Sequence, residues 1–199
     1  MTVALDSSPV RSRSMKRILI IGAGGAGKTT FARQLGEILG LAVVHLDALY
    51  WKPGWVEPPR DEWARTVEGV LERDAWIIDG NYSGTLGRRL EACDAVVFLD
   101  LPRTICLWRV LKRAVKHRNT TRPDMADGCP EQLNLKFLMW IWNYPKRTRP
   151  RIVKLLNEER NTSKAIRLRT PAEIDRFLAD ARNAALDQMP RRTAAEPDR

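Results

Sequence analysis

Cysteine and histidine are scarce in this chain. Its three cysteines are Cys93, Cys106 and Cys129, and an odd number without a C-x-x-C pair supports neither a disulfide framework nor a zinc site. The two histidines, His45 and His117, stand far apart, so no His/Cys metal cluster is expected. A reducing, cytoplasmic setting is the natural expectation. No apolar run is long enough to cross a membrane: the best, "LKFLMWIWNY", is about half of the roughly 20 residues required. The stretch "MTVALDSSPVRSRSM" lacks the apolar core of a signal peptide. Residues 1–14 read as a disordered extension, and the polar tail 189–199 as frayed. There is no internal repeat, and no RRM, helix-turn-helix or zinc-finger signature. Acid is in deficit, with 24 Asp+Glu against 34 Lys+Arg for a net charge of +10. That excess implies anionic partners, whether phosphates, nucleic acid or acidic lipid.

What is present is the composition of one globular domain over residues 15–188, within a chain of 199 residues that is 44% hydrophobic and 29% charged. Apolar runs at 17–21, 41–47, 75–80, 94–100 and 164–168 read as strands. Helical spacing follows at 28–40, 61–73, 84–92, 102–117, 133–144, 150–159 and 170–186. Asp61 is placed to cap the second of these helices, and Thr170, Pro171 and Glu173 to open the last. Alternating strands and helices predict an α/β fold with a five-stranded parallel sheet flanked by helices. Two insertions stand out, residues 48–74 and 118–145, the second opening on the polar segment 118–132.

The first strand runs into "IGAGGAGKTT", which fits two patterns. Gly22, Gly24 and Gly27 spell the dinucleotide motif G-x-G-x-x-G, and Asp47 lies where that motif wants an acid. Gly22, Gly27, Lys28 and Thr29 spell the P-loop G-x-x-x-x-G-K-T. Lys28 and Thr29 decide for the P-loop. A triphosphate needs a lysine for its β- and γ-phosphates and a hydroxyl for Mg²⁺, and a dinucleotide needs neither. Gly22, Gly24, Gly25, Ala26, Gly27, Lys28, Thr29 and Thr30 are therefore the expected ATP cradle, with the helix N-terminus adding its dipole. An acid on a neighbouring strand should hold the metal through water. "WIID" ends in Asp79 and "VVFLD" in Asp100. Thr29 and Asp79 are the expected Mg²⁺ pair, with Asp100 the alternative.

From Pro102 to Pro123 there are seven basic residues and no acid. Arg109, Lys112, Arg113 and Lys116 share one helical face, and Trp108, Leu111 and Val115 on the next face would anchor it. Lys146, Arg147, Arg149 and Arg151 form a second cluster. Phosphoryl transfer relies on positioning and on neutralising charge, and two basic clusters flanking a lid suit that need.

"WIIDGNY", "LDLPRTICLWRVLKR" and "LRTPAEIDRFL" resemble the adenylate-kinase-like P-loop kinases over about residues 16–180. With "HLDALYWKPGW" and "TRPDMADGCPEQL" the pattern is closer still to a bacterial subgroup, the topology modulation proteins. The resemblance implies a nucleoside-monophosphate-kinase-like fold with a lid over 118–132 and an acceptor-side insertion over 48–74. It implies that Arg109 and Arg113 support the transferring phosphoryl. It implies that Asp47 orients an acceptor hydroxyl or a metal-bound water. Lys28, Asp47, Arg109 and Arg113 are thus the expected catalytic set. One departure bears on the acceptor. Adenylate kinases follow Asp-Gly with Phe-Pro-Arg, whose arginine binds the AMP phosphate, whereas Asn81-Tyr82-Ser83 stands here.

Tyr50, Trp51 and Trp55, with Lys52, are read either as an acceptor pocket stacking on a ring or as packing of the insertion. Asn81 and Tyr82 are read as acceptor contacts or as a turn. His45 is expected to be a half-buried strand residue, and Trp63, Trp140 and Trp142 to be core. The expectation is a monomeric kinase that uses ATP and Mg²⁺ to phosphorylate a nucleotide or other small molecule. The alternatives are a DNA-associated ATPase that modulates DNA topology, and a nucleotide-binding regulator without turnover.

Overall fold

The structure is a computed structural model and describes residues 15–116, 125–126, 128–130 and 134–187. In chain order its elements are β1 (Arg17–Gly22), α1 (Lys28–Leu39), β2 (Val43–His45), α2 (Leu46–Tyr50), α3 (Arg60–Leu71), β3 (Trp76–Asp79) and α4 (Ser83–Ala92). There follow β4 (Ala95–Leu99), α5 (Arg103–Lys116), α6 (Leu135–Arg147), α7 (Arg149–Leu156), α8 (Glu159–Thr162), β5 (Ala165–Leu168) and α9 (Pro171–Asp187). The extension 1–14, the end of the chain and most of the lid segment lie outside the described residues.

The strands form one sheet in the order β2-β3-β1-β4-β5, and every pairing is parallel. The unbroken apolar runs are the strands buried on both faces. Ile18 to Ile21, Ile77, Ile78 and Val96 to Leu99 are all at 0% exposure, as parallel strands covered by helices require. Each such side chain contributes about 1.5–3 kcal/mol relative to the exposed state. Helices flank the sheet, and α1 packs on α9 through Phe31 and Phe177, whose ring centroids are 5.7 Å apart. This is the α/β class with the five-stranded parallel sheet that the sequence predicts.

The register sets the site. Ile20 and His45 both lie opposite Asp79, and Gly22 lies opposite Leu99. The loop after β1 therefore emerges between the ends of β3 and β4, the crevice where open α/β sheets bind ligands.

Several local expectations are corrected. β2 ends at His45, so Asp47 lies in the short helix α2. Leu46, fully buried, turns the chain inward there. α3 begins at Arg60 with Pro59 in the cap position, so Asp61 sits in the first turn. The core face of α5 is Cys106 and Val110. Trp108, Leu111 and Val115 are exposed at 66%, 40% and 81% and do not anchor the helix. Both stripes have helical spacing, and the smaller one wins because the backbone of the P-loop must fit against it. On α6 the buried residues are Ile141 and Tyr144. Trp140 and Trp142 are exposed, whereas Trp63 is core as expected. α9 opens as its sequence predicts. Thr170 Oγ1 accepts from the Glu173 amide at 3.1 Å, and the Glu173 carboxylate accepts from the Arg169 amide at 2.7 Å.

Candidate active site

The loop from Gly22 to Gly27 leads into α1 with no side chain capping the helix. The Ala26 amide closes a turn onto Ala23 O at 3.1 Å. No protein acceptor among the described residues meets the amides of Gly24, Gly25, Gly27, Lys28 or Thr29. These converge at the positive end of the helix dipole, a ready anion site. Close packing demands the glycines. A Cβ on Gly25, which has φ +78°, would lie 2.2 Å from Cys106 O, and one on Gly24 would lie 2.5 Å from the Phe137 ring. So α5 and α6 both press on the loop.

Lys28 folds back over the loop, its Nζ donating to Gly22 O and Ala23 O at 3.1 Å each. Burial lowers its pKa, opposed by the charges of Asp47 and then Asp79, while Arg113 lowers it further. Lys28, Asp47, Asp79 and Arg113 thus share one electrostatic neighbourhood. Arg109 Nη1 donates to Ala26 O at 3.1 Å, which places its guanidinium on the loop itself. Thr30 is exposed and Ala26 fully buried.

Beside Lys28, Thr29 Oγ1 donates to Asp79 Oδ2 at 3.0 Å. Asp79 is 4% exposed, and its other oxygen lies 2.8 Å from His45 Nδ1. A hydroxyl and a carboxylate are hard oxygen donors that suit Mg²⁺, which usually takes one or two protein ligands and leaves the rest to phosphates and water. The described residues hold no cluster of three His, Cys, Asp or Glu for a metal. Asp100 is engaged elsewhere. It accepts from Arg149 Nε at 2.9 Å and from Arg167 Nε at 2.8 Å. Arg149 is thereby tied to the end of β4, where Asp100 follows the last strand residue.

On the other side of the loop, Tyr82 Oη donates to Asp47 Oδ1 at 2.7 Å. Tyr82 is one of two non-glycine residues with positive φ among the described residues; the other is Trp55. Its conformation is held from below by Arg89. This arginine is at 0% exposure and donates to Gly80 O at 2.9 Å, to Tyr82 O at 2.8 Å, to Asn81 O and to Thr85 Oγ1. Burial lowers its pKa to about 10. The Asn81 amide is spent on the P-loop: it donates to Gly22 O at 2.7 Å and accepts from the Gly22 amide at 3.1 Å. Asn81 therefore joins the turn after β3 to the loop after β1 and is not free for an acceptor.

Tyr82 continues into a chain of rings. Tyr50 lies 4.5 Å from Tyr82 and 5.0 Å from both Trp51 and Trp63, and Trp51 lies 5.3 Å from Trp55, centroid to centroid. Gly128 and Cys129, from the segment between α5 and α6, rest on the same insertion. The Gly54 amide donates to Gly128 O at 3.0 Å, and the buried Cys129 thiol donates to Lys52 O at 3.3 Å.

The structure thus brings together Lys28, Thr29, Asp79, Asp47, Arg109 and Arg113. It leaves Asp100 and Arg149 in a separate ion pair. Sequence reasoning missed the bond of Tyr82 to Asp47, the bridging role of Asn81, the buried Arg89 and the ring of Phe137 on Gly24. It also gave His45 no contact with Asp79, although two strand ends lying side by side carry that signal.

No known family model matches the chain, and no curated protein matches it by sequence. Solved structures do match. A gluconokinase from Sinorhizobium meliloti 1021 is 14% identical with a TM-score of 0.50, over 88% of this chain and 94% of that one. A shikimate kinase from Acinetobacter baumannii in complex with shikimate is 18% identical with a TM-score of 0.52, over 93% of this chain and 100% of that one. At these identities the likeness establishes the fold alone, an α/β P-loop fold.

Proposed function

We propose that the chain is an ATP-dependent kinase of the adenylate-kinase-like type, transferring the γ-phosphoryl group to a hydroxyl of a small molecule. One observation carries this reading. The uncapped N-terminus of α1, Lys28 and the Thr29–Asp79 pair converge beside a second carboxylate, Asp47, that is held by a tyrosine. A phosphate-binding loop needs only the first three. A carboxylate aimed at the same place supplies what a nucleophile needs.

The roles follow from charge and position. The free amides and Lys28 bind the phosphates, Lys28 leaving its two carbonyls for the more strongly charged ligand. Thr29 and Asp79 would hold Mg²⁺, which when bound draws charge from the phosphate oxygens. His45 fixes the orientation of Asp79. Arg109 and Arg113, on the face of α5 next to the loop, offset the charge that builds on the transferring group. Asp47 orients the acceptor hydroxyl and takes its proton. In its motifs the chain resembles the topology modulation subgroup.

The test is a screen of nucleosides, nucleotides and small metabolites for acceptor-dependent ADP formation. We expect turnover that Lys28→Ala abolishes while the fold is kept. Full turnover in Lys28→Ala would sink the assignment.

The basic helices favour one rival, a DNA-associated ATPase. It predicts ATP hydrolysis stimulated by DNA, no phosphorylated small molecule, and DNA binding that weakens steeply with salt.

A further inference from the structure

The two sides of this site differ in charge. Helices α5, α6 and α7 hold eleven Lys and Arg and no acid, leaving 23 basic against 24 acidic residues in the remainder of the chain. The excess charge of the whole protein is therefore on the lid side, where a triphosphate binds. The acceptor side is different. Residues 46–63 carry Asp47, Glu57, Asp61 and Glu62 against Lys52 and Arg60.

Two cations of that side are already engaged, Lys52 and Arg89. Lys52 pairs with Glu62 at 2.9 Å. Arg60 is exposed in the first turn of α3. Arg89 is buried and its donors go to Thr85 and to the carbonyls of residues 80–82. Ser83 stands where adenylate kinases carry the arginine that binds a phosphate. An acid docked here would meet Asp47, and the turn after β3 has no free arginine to offset it.

What the side offers is ring surface. Tyr50, Trp51 and Trp55 continue from Tyr82, the residue that holds Asp47. Trp55 has φ +64°, and its indole N–H is buried without an acceptor among the described residues. A strained backbone and an orphaned donor on one residue are features that functional sites retain. Aromatic faces beside a carboxylate bind flat rings and cations, not anions.

On the kinase reading above, we infer that the phosphoryl acceptor is an alcohol without negative charge, neutral or cationic, that lays a ring or an alkylammonium face on Tyr50, Trp51 and Trp55. Nucleosides, amino sugars and amino alcohols have this chemistry. Sugar acids and nucleoside monophosphates do not.

The test uses the full chain with Mg·ATP and measures ADP formation with four pools: nucleosides, amino sugars with amino alcohols, nucleoside monophosphates, and sugar acids including gluconate and shikimate. Turnover is expected in the first two pools alone. With the acceptor found, Trp51→Ala should raise its KM by at least about tenfold and leave the KM for ATP unchanged, while Trp51→Phe, which keeps a ring, restores much of the loss. Turnover confined to the acids or monophosphates overturns the inference. So does silence in all four pools, or an acceptor KM indifferent to Trp51→Ala. Failure of the kinase reading is separate: it would show as ATP binding that does not depend on Lys28, measured without any acceptor.

Discussion

Lys28 sits among two carbonyls and two carboxylates, and its ammonium is needed only when phosphate arrives. Burial holds its pKa below the ordinary lysine value of 10.5. The protonated form is the one that grips phosphate. The grip is therefore lost as the pH rises, sooner than for an exposed lysine. The Kd for ATP, measured from about pH 7 to about pH 10, should weaken along an alkaline limb. Lys28→Arg, whose guanidinium keeps its proton, should lack that limb; an unchanged limb in the arginine variant would assign it to another group. Tyr82 gives a second residue-scale prediction. Tyr82→Phe keeps the ring and removes the donor to Asp47. A hydrogen bond to a charged group contributes about 1.5–3 kcal/mol, so kcat should fall roughly tenfold to a hundredfold. The KM for ATP should hold, and thermal unfolding will show whether the aromatic cluster is intact.

At the scale of elements, the P-loop is shaped as much by α5 and α6 as by its own glycines. Gly24 leaves room for the Phe137 ring. Gly24→Ala should destabilise the fold by about 1–3 kcal/mol through overpacking and weaken ATP binding. Phe137→Ala in the same chain should recover part of both losses, a coupling that a double-mutant cycle measures directly. Losses that simply add would mean the two residues do not meet.

This contact also marks the limit of what the sequence makes legible. The P-loop is contiguous, and Asp79 ends an apolar run, so both can be read along the chain. The strands β1, β3 and β4 are apolar throughout because both their faces are buried. The side of α5 that packs inward was not legible. Cys106–Val110 and Trp108–Leu111–Val115 both have helical spacing, and only the loop pressing on Cys106 selects between them. Asn81 to Gly22, Tyr82 to Asp47 and Arg89 to the turn above it are tertiary contacts made across strand ends. No local pattern announces them. The arginine of Phe-Pro-Arg is missing from the sequence, and only the structure shows that Arg89 is buried with its donors spent on the turn.

For the molecule as a whole, two observations meet. The basic helices α5 and α6 flank the segment 118–132 in the chain, and that segment touches the insertion 48–74 through Gly128 and Cys129. Gly128 has φ +74° and lies against Pro53, so a side chain there is both strained and crowded. Gly128→Val should loosen this contact, raising the KM for the acceptor severalfold and increasing water-dependent ATP hydrolysis relative to transfer. An unchanged ratio of hydrolysis to transfer would remove the contact from the working cycle.

The central claim is that this constellation moves a phosphoryl group from ATP to a small molecule. The most direct test follows label from the γ-phosphate of ATP into products, in the native chain and in Lys28→Ala. The account predicts labelled organic phosphate from the native chain. It predicts a loss of about a thousandfold in Lys28→Ala, with the same thermal unfolding midpoint. Label appearing only as inorganic phosphate, or undiminished transfer in Lys28→Ala, would contradict it.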